Sequence, residues 1–572
     1  MGASFMPQNS SKCKGFLSFA DMSPSLHNSI PLWYSLLCIF GCICEKILSA
    51  DVSGSEKDFT NIFAQCPALQ IERLKMAKNL KTLLQGLEYE ILQGDENREI
   101  ESVIYDSRKA AAGCLFVCIR GAVTDAHTYA ADVAANGAAA LIVEEAVDVP
   151  AEVTVVKVDN SRRALALISA EWFDHPAKKL KTIGITGTKG KTTTSYMVQS
   201  ILNAAGHKCG LIGTIETITG KRVIPSPNTT PISYLVNEYF AEMVEAGLDS
   251  VVMEVSSQAL KYDRVAGIHF DFGIFTNLGQ DHIGPNEHDD FEDYLASKKK
   301  LFDQCTIGIV NRDDKLFDRI VEGAACEKLE TYGFSEEASL RATDAMMLCK
   351  PGYLGIRYQT EGLVNIPVEV DIPGKFTVYN SLAAVAVCHH FGVTAEEIMK
   401  ALPKAKVKGR VEMVRVSDKF TLMIDYAHNA MALESLLSTL REYHPARLVC
   451  LFGCGGNRDR ERRFTMGEVS GKMADFTIIT SDNPRDEEPQ AIIDDIVTGI
   501  SRTDGQYTTI IDRKEAIAWA IHNGEPGDII VLAGKGHEDY QIIKGKKYPM
   551  DERVLIAEIL EEDRKKAEQA EG

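Results

Sequence analysis

The sequence predicts an α/β protein made of three successive domains, and three observations carry that prediction. The chain has 572 residues, room for three or four domains of ordinary size. Apolar runs that end in polar loops alternate with helix-length segments, the pattern of mostly parallel sheets. One such run, 182–186, enters the turn Gly187-Thr-Lys-Gly-Lys-Thr192, and a helix-like segment with Tyr196, Val198 and Ile201 on its apolar side follows.

That turn is a phosphate cradle. Backbone N–H groups of a glycine-rich turn, together with a helix N-terminus, point at an anion. Lys191 supplies a point charge for terminal phosphates, and the Thr192 hydroxyl can ligate Mg²⁺. The spacing is the shorter G-x-x-G-K-T form, since Ile185 stands where the general motif has its first glycine. A ligand-free Gly/Lys turn is the competing explanation; the strand before it and the helix after it argue against that.

Composition sets the class. Apolar residues make up 45% and charged residues 25%, as in soluble globular proteins. The net charge of −19 argues against a nucleic-acid binder, which needs a basic surface. Fourteen cysteines include no C-x-x-C pair, and most lie in apolar segments such as those around Cys388 and Cys450. Reduced, buried thiols of a cytoplasmic protein fit this better than disulfides or a zinc site.

Residues 1–75 differ from the rest. Residues 1–29 are serine-rich, and 30–44 form an uncharged apolar run containing Pro31. As a helix that run would span about 22 Å, short of the roughly 30 Å hydrocarbon core. We expect an extension without stable membrane insertion, with Met76 as the working start.

The first domain is expected over 76–180, a small α/β unit with a strand at 113–121 and helix, glycine turn and strand across 126–145. The second, 181–407, is a central P-loop ATPase-like parallel sheet with strands at 249–255, 272–277 and 306–310 and a helix at 291–302. The third, 408–572, is a Rossmann-like α/β domain with strands opening 420–429, 447–460, 476–486 and 528–539, each ending in Gly, Asp, Asn, His or Arg.

Glu254 ends a buried strand beside the phosphate turn, a good position for holding a nucleotide's Mg²⁺; a solvated Glu before a Ser cap is the plainer alternative. His282 follows the next strand and could serve a second metal. Lys298 lies in a lysine triplet on the 291–302 helix, which by itself reads as a solvated face.

In order, the motifs G-T-x-G-K-T, N-T-T-P, E-V-S-S, F-T-N-L-x-x-D-H, Y-x-x-x-K, Y-N-x-L-A-A, G-R-x-E, D-Y-A-H, G-C-G-G-x-R-D, D-N-P-R and G-K-G-H-E resemble the Mur ligases, ATP-dependent amide-bond-forming enzymes of peptidoglycan precursor synthesis. The resemblance covers roughly 76–560 and is strongest to the branch that adds the third residue of the stem peptide.

The resemblance implies the following roles. Asp106, Ser107 and Arg108 match the segment that contacts the uridine-nucleotide substrate; Asn228, Thr229 and Thr230 match the loop at its muramoyl-dipeptide end, and Ser256 and Arg264 further contacts. Gly187, Thr188, Lys189, Gly190, Lys191, Thr192 and Thr193 match the ATP loop. Asn380 and Arg410 match nucleotide contacts, and Asp425 and His428 a loop closing over ATP. Thr192, Glu254 and His282 match magnesium ligands, with Lys298 as the carbamylated lysine of the family; Lys191, Glu254, His282 and Lys298 form the catalytic group.

Arg458, Asp482, Asn483, Arg485, Gly534 and Glu538 match the incoming amino-acid site. Arg485 offers a fork for a carboxylate, and Asp482 and Glu538 offer acceptors for an ammonium. In this family D-N-P-R goes with meso-diaminopimelate, whose far end carries a carboxylate. Lysine lacks it and would leave a buried charge unpaired at about 3–5 kcal/mol.

There are departures. Lys189 replaces a common Asn, Gln258 stands where some members have His, and Thr377 and Tyr262 replace an Asn and a glutamine contact, so no role is carried to the last two. The expected activity joins meso-diaminopimelate to UDP-N-acetylmuramoyl-L-alanyl-D-glutamate through an acyl phosphate. A lysine-adding or folylpolyglutamate-type ligase, or a non-catalytic partner protein, are the alternatives.

Overall fold

The computed structural model describes residues 77–571 except 122–123, 281–282, 285–286 and 351. The apolar run 30–44, Met76 and His282 therefore lie outside the described residues. Among those described, no helix is long and apolar enough to cross a membrane. Nine described cysteines are free, and seven of them are buried; burial pushes the Cys450 thiol up to about 12.

The N-terminal sheet runs Glu90–Gln93, Thr154–Lys157, Ala140–Val143, Cys114–Val117, Ser102–Ile104, parallel except for its first strand. The apolar runs at 113–121 and 126–145 supply two of these strands, both buried at every position. Helix Ser161–Trp172 packs on the sheet and is capped by the Asn160 side chain, which accepts from Arg163 N.

Eleven strands form the central sheet. Its heart is parallel: Cys209–Ile212, Ser250–Glu254, Lys181–Thr186, Phe270–Phe275, Cys305–Asn311 and Lys328–Gly333. The strand that feeds the glycine-rich turn lies between Ser250–Glu254 and Phe270–Phe275, so three loops distant in sequence leave the same carboxyl edge side by side. Leu340–Lys350, Tyr353–Gly362 and Pro367–Val370 extend the sheet as an antiparallel edge, an addition absent from the sequence expectation.

The C-terminal sheet has the order Glu412–Val414, Thr421–Asp425, Ile529–Ala533, Leu448–Phe452, Phe476–Ile479, Gln506–Thr509, parallel except for the first. All four expected strands are present. One buried apolar cluster runs from Ile183 through Leu382 to Leu437 and so joins the central and C-terminal sheets.

Tyr443 fastens this junction. Its hydroxyl accepts from Gly374 N at 3.0 Å and donates to Gly355 O at 2.9 Å, inside the protein. Tyr443→Phe leaves both backbone groups without a partner. We expect a loss of about 1–3 kcal/mol of stability, read as a lowered urea midpoint; an unchanged midpoint would show that the junction does not depend on this hydroxyl.

Candidate functional site

The glycine-rich turn is held in place by the next strand. Thr188 N donates to Asn277 O and Lys189 N to Asn277 Oδ1, both at 2.9 Å, while Thr276 Oγ1 and Asn277 Nδ2 donate to Lys189 O at 2.7 and 2.9 Å. Helix Lys191–Ala204 starts from Gly190, whose φ of 89° belongs to the left-handed region. A Cβ at this position would collide with the Asn380 side chain, so Asn380 and the turn fit only with glycine. Lys191 folds over the loop, its ammonium 2.8 Å from Gly187 O and 3.2 Å from Thr188 O. Thr192 and Thr193 are buried in the first helical turn, and Lys189 is exposed.

Glu254 is completely buried at the end of Ser250–Glu254. It accepts from Thr192 Oγ1 at 3.0 Å, Thr214 N at 2.8 Å and Thr214 Oγ1 at 3.0 Å. The solvated-Glu alternative is thus excluded. Thr192 hydroxyl and Glu254 carboxylate form a hard oxygen pair, the donor chemistry that suits Mg²⁺.

Lys298 departs from the solvated face expected of a lysine triplet. It is 1% exposed on helix Phe291–Lys299, donates to Gly187 O at 2.9 Å, and lies 4.6 Å from the centre of the Tyr294 ring. The triplet is split by helical geometry: position 298 faces inward and Lys300 is exposed.

The Thr230 hydroxyl donates to Glu254 O at 2.9 Å and accepts from Ser256 N at 3.0 Å, and Arg264 Nη1 donates to Thr230 O at 2.9 Å. Thr229 meets Thr214 hydroxyl to hydroxyl at 3.1 Å. Asn228 is exposed on the same loop. Ser107 and Arg108 lie on the short turn Ser107–Lys109 of the N-terminal domain, where Asp106 caps the turn; hydrogen bonding from Arg108 holds the Asp106 carboxyl down at about 2. The adjacent Tyr105 ring lies 5.9 Å from Tyr234 of the central domain.

In the C-terminal domain Asp425 is buried and accepts from Val411 N and Ala427 N, both at 2.8 Å. Burial pushes its carboxyl above the ordinary value, against the pull of Arg410. Arg410 lies over the Tyr426 ring at 4.8 Å, and His428 is exposed with Nδ1 2.9 Å from Tyr426 O. Next to them, burial followed by Arg410, Lys408 and Arg553 pushes His537 down to about 4, so this imidazole is neutral at pH 7.

Asp482, Asn483, Gly534 and Glu538 meet around a fully buried ammonium the sequence reading did not single out. Lys535 Nζ donates to Glu538 Oε2 at 2.7 Å, Asn483 Oδ1 at 3.1 Å and Tyr540 O at 2.6 Å, with Asp482 Oδ1 3.9 Å away. The acceptors expected for a ligand's ammonium are arranged about an internal one. Asn483 also bonds Glu538 Oε2 at 3.0 Å and receives Ile542 N at 2.9 Å. Arg485 adopts a left-handed φ of 52°, pinned by Arg485 N to Ile542 O at 2.9 Å and Lys544 N to Arg485 O at 2.6 Å, and its Nη1 reaches Gly456 O at 2.5 Å. Arg458 is exposed, and its side chain flanks Gly455, as the Arg485 guanidinium does.

The expected residues thus form two assemblies, one on the central sheet and one on the C-terminal sheet, the latter made continuous by Gly534 N bonding Asp425 O at 3.0 Å. Thr214, Asn277, Lys535 and His537 belong to these assemblies and were absent from the sequence reading. Asn277 carried a signal inside the F-T-N-L run, and Lys535 and His537 inside the G-K-G-H-E run; Thr214 carried none.

Three family models match consecutive stretches: "Mur ligase family, catalytic domain" over 99–173, "Mur ligase middle domain" over 185–388, and "Mur ligase, glutamate ligase domain" over 409–536. A UDP-N-acetylmuramoyl-L-alanyl-D-glutamate–2,6-diaminopimelate ligase of Clostridium perfringens is 40% identical over 488 residues, which is 84% of this chain and 99% of the relative. The ligase of that description from Caldanaerobacter subterraneus is 42% identical over 488 residues, 85% and 100% of the two chains. A solved structure of such a ligase superposes with a TM-score of 0.62 at 26% identity, covering 86% of this chain and all of the other. MurF of Acinetobacter baumannii, at 20% identity and a TM-score of 0.54, covers 85% of this chain and 99% of its own and shares the fold. With its phosphate turn, its buried Glu254 and these matches along nearly the whole described length, the chain belongs to the Mur ligase family.

Proposed function

We propose that this chain is an ATP-dependent ligase that joins meso-diaminopimelate to the D-glutamyl residue of UDP-N-acetylmuramoyl-L-alanyl-D-glutamate, in peptidoglycan precursor synthesis. The observation that carries the reading is the phosphate turn fixed beside a buried carboxylate, with Thr192 Oγ1 3.0 Å from Glu254. The relatives' names supply the substrates. Residues 76–180 hold the nucleotide end, 181–407 the ATP, and 408–572 the amino acid.

In this reading the turn 187–193 wraps the triphosphate, and Lys191 neutralises charge that develops on the transferring phosphoryl group. Thr192 and Glu254, with His282 and Lys298 as a carbamate, would hold Mg²⁺, which would supply further charge neutralisation when bound. Carbamylation turns Lys298 from a cation beside Gly187 into an anion. Asn228, Thr229, Thr230, Ser256 and Arg264, with Ser107 and Arg108, hold the acceptor; its carboxylate attacks the γ-phosphorus, the bond to the bridging oxygen breaks, and ADP leaves the acyl phosphate behind. Asn380, Arg410, Asp425 and His428 hold the nucleotide. Asp482, Asn483, Arg485, Gly534 and Glu538, with Arg458, receive the amino acid, whose neutral amine attacks the acyl phosphate and expels phosphate. An acyl phosphate survives only where water is excluded, so in this reading the C-terminal domain closes on the central one during the reaction.

Arg485 is the specificity element. Its left-handed backbone costs about 1–2 kcal/mol, and a strained residue pinned on both sides is characteristic of a ligand clamp. The distal carboxylate of diaminopimelate matches that guanidinium, and lysine does not.

With ATP and the nucleotide dipeptide held fixed, phosphate release should rise on adding meso-diaminopimelate and stay at background with L-lysine. Equal release with lysine would replace the diaminopimelate assignment, and no release with either would remove the ligase assignment. Lys298→Ala should lower kcat by at least about 100-fold, with partial recovery in millimolar short-chain carboxylic acids, which restore an anion. Full activity without added acid would rule out the carbamate.

A further inference from the structure

Two arginines from different domains meet the segment 262–264, Arg162 over the Tyr262 ring and Arg264 within the segment itself. Arg264 is half-buried and donates to Thr230 O at 2.9 Å. Arg162, in the first turn of Ser161–Trp172, lies over the Tyr262 ring with Cζ 4.8 Å from its centre, and its Nη2 donates to Arg120 O at 2.6 Å. The contact between the two domains is fixed here by Asn160 Nδ2, 2.8 Å from Asp263 Oδ2. Among the described residues neither arginine forms an ion pair. Burial, and after it the charge of Arg162, push the Arg264 guanidinium below its ordinary value, as expected of a cation that faces a cation instead of an anion.

Tyr262 gives the arrangement its logic. It stands where the family resemblance expects a glutamine contact. A glutamine would reach a ligand directly; an aromatic ring instead holds a guanidinium over its face. The position therefore presents an arginine from the neighbouring domain.

We propose that Arg162 and Arg264 together bind one carboxylate of the acceptor, the carboxylate that ligation leaves free on its glutamyl residue, with Tyr262 as the platform for Arg162. This rests on the ligase reading above. A glutamyl residue presenting two carboxyl groups has only one activated; the other stays ionised throughout and needs a cation. Its place follows from a chain of contacts: Arg264 bonds Thr230 O, the Thr230 hydroxyl bonds Glu254 O, and Glu254 bonds Thr192 of the phosphate turn. The anion between the arginines thus lies near the reacting end. The diphosphate, the substrate's other anion, is separated from that end by the sugar and the alanyl residue. Because Arg162 belongs to the N-terminal domain, the acceptor carboxylate is held by both domains across a contact already fixed by Asn160 and Asp263.

The test measures the dissociation constant of the nucleotide dipeptide by calorimetry for the wild type, Arg162→Gln, Tyr262→Gln and, as a control on the same helix, the exposed Arg163→Gln. The ligand is used in its acid form and as the analogue with a carboxamide in place of the free carboxylate. We expect Arg162→Gln to weaken acid-form binding roughly tenfold or more and Tyr262→Gln to weaken it several-fold, with melting temperatures and the KM for ATP unchanged. Arg163→Gln should match the wild type. The wild type should lose a similar factor on the carboxamide, and Arg162→Gln should then add no further loss. Equal affinity of the wild type for acid and carboxamide, or an Arg162→Gln loss as large on the carboxamide as on the acid, overturns the proposal while leaving the ligase reading in place. A wild type that neither binds the nucleotide dipeptide nor releases phosphate overturns both.

Discussion

A carboxylate with no exposed surface holds the central site together. Glu254 comes at the end of an interior strand, where an ion without partners would cost several kcal/mol. Thr192 from the phosphate turn and Thr214 from the next strand's end supply its hydrogen bonds, and its own backbone carbonyl takes the Thr230 hydroxyl. One residue therefore ties the phosphate turn, the loop after Cys209–Ile212 and the acceptor loop to a single point. The order of strands makes this possible, because parallel neighbours deliver their loops to the same edge.

The C-terminal assembly obeys the same rule with the opposite charge. Lys535 has no exposed surface, and Glu538, Asn483 and the Tyr540 carbonyl satisfy its ammonium. A buried cation arranged in this way fixes Glu538, Asn483 and the Tyr540 carbonyl in position. Arg485 is held by backbone bonds on both sides, and its guanidinium donates to Gly456 O. The two assemblies stand on separate sheets, which the shared apolar cluster and Tyr443 join.

Much of this was legible in the chain. Strand-to-loop transitions at 182–192, 249–256 and 528–539 follow from short apolar runs that stop at glycine, serine or acid, and the structure has strands at each. Gly190 was readable as part of a phosphate turn because the motif is local. The residues alone left Lys298 on a solvated face, because three consecutive lysines carry no sign of which one the helix turns inward; only the family resemblance singled it out. Lys535 was passed over since a lysine between two glycines says nothing of a neighbour fifty residues earlier. The antiparallel edge beyond Lys328–Gly333 was missed because alternation of strand and helix stops there.

The sequence by itself determined the α/β class, the phosphate turn and the order of the chemical motifs, since each depends on residues within one turn or one strand. Tertiary structure alone decided which motifs share a site: that Thr214 completes Glu254, that Lys535 fills the cluster around Glu538, and that Arg162 reaches Tyr262 from another domain. The physical reason is range. Backbone turns and side-chain periodicity act over a few residues, whereas satisfying a buried charge draws on whatever the packed chain brings within about 3 Å.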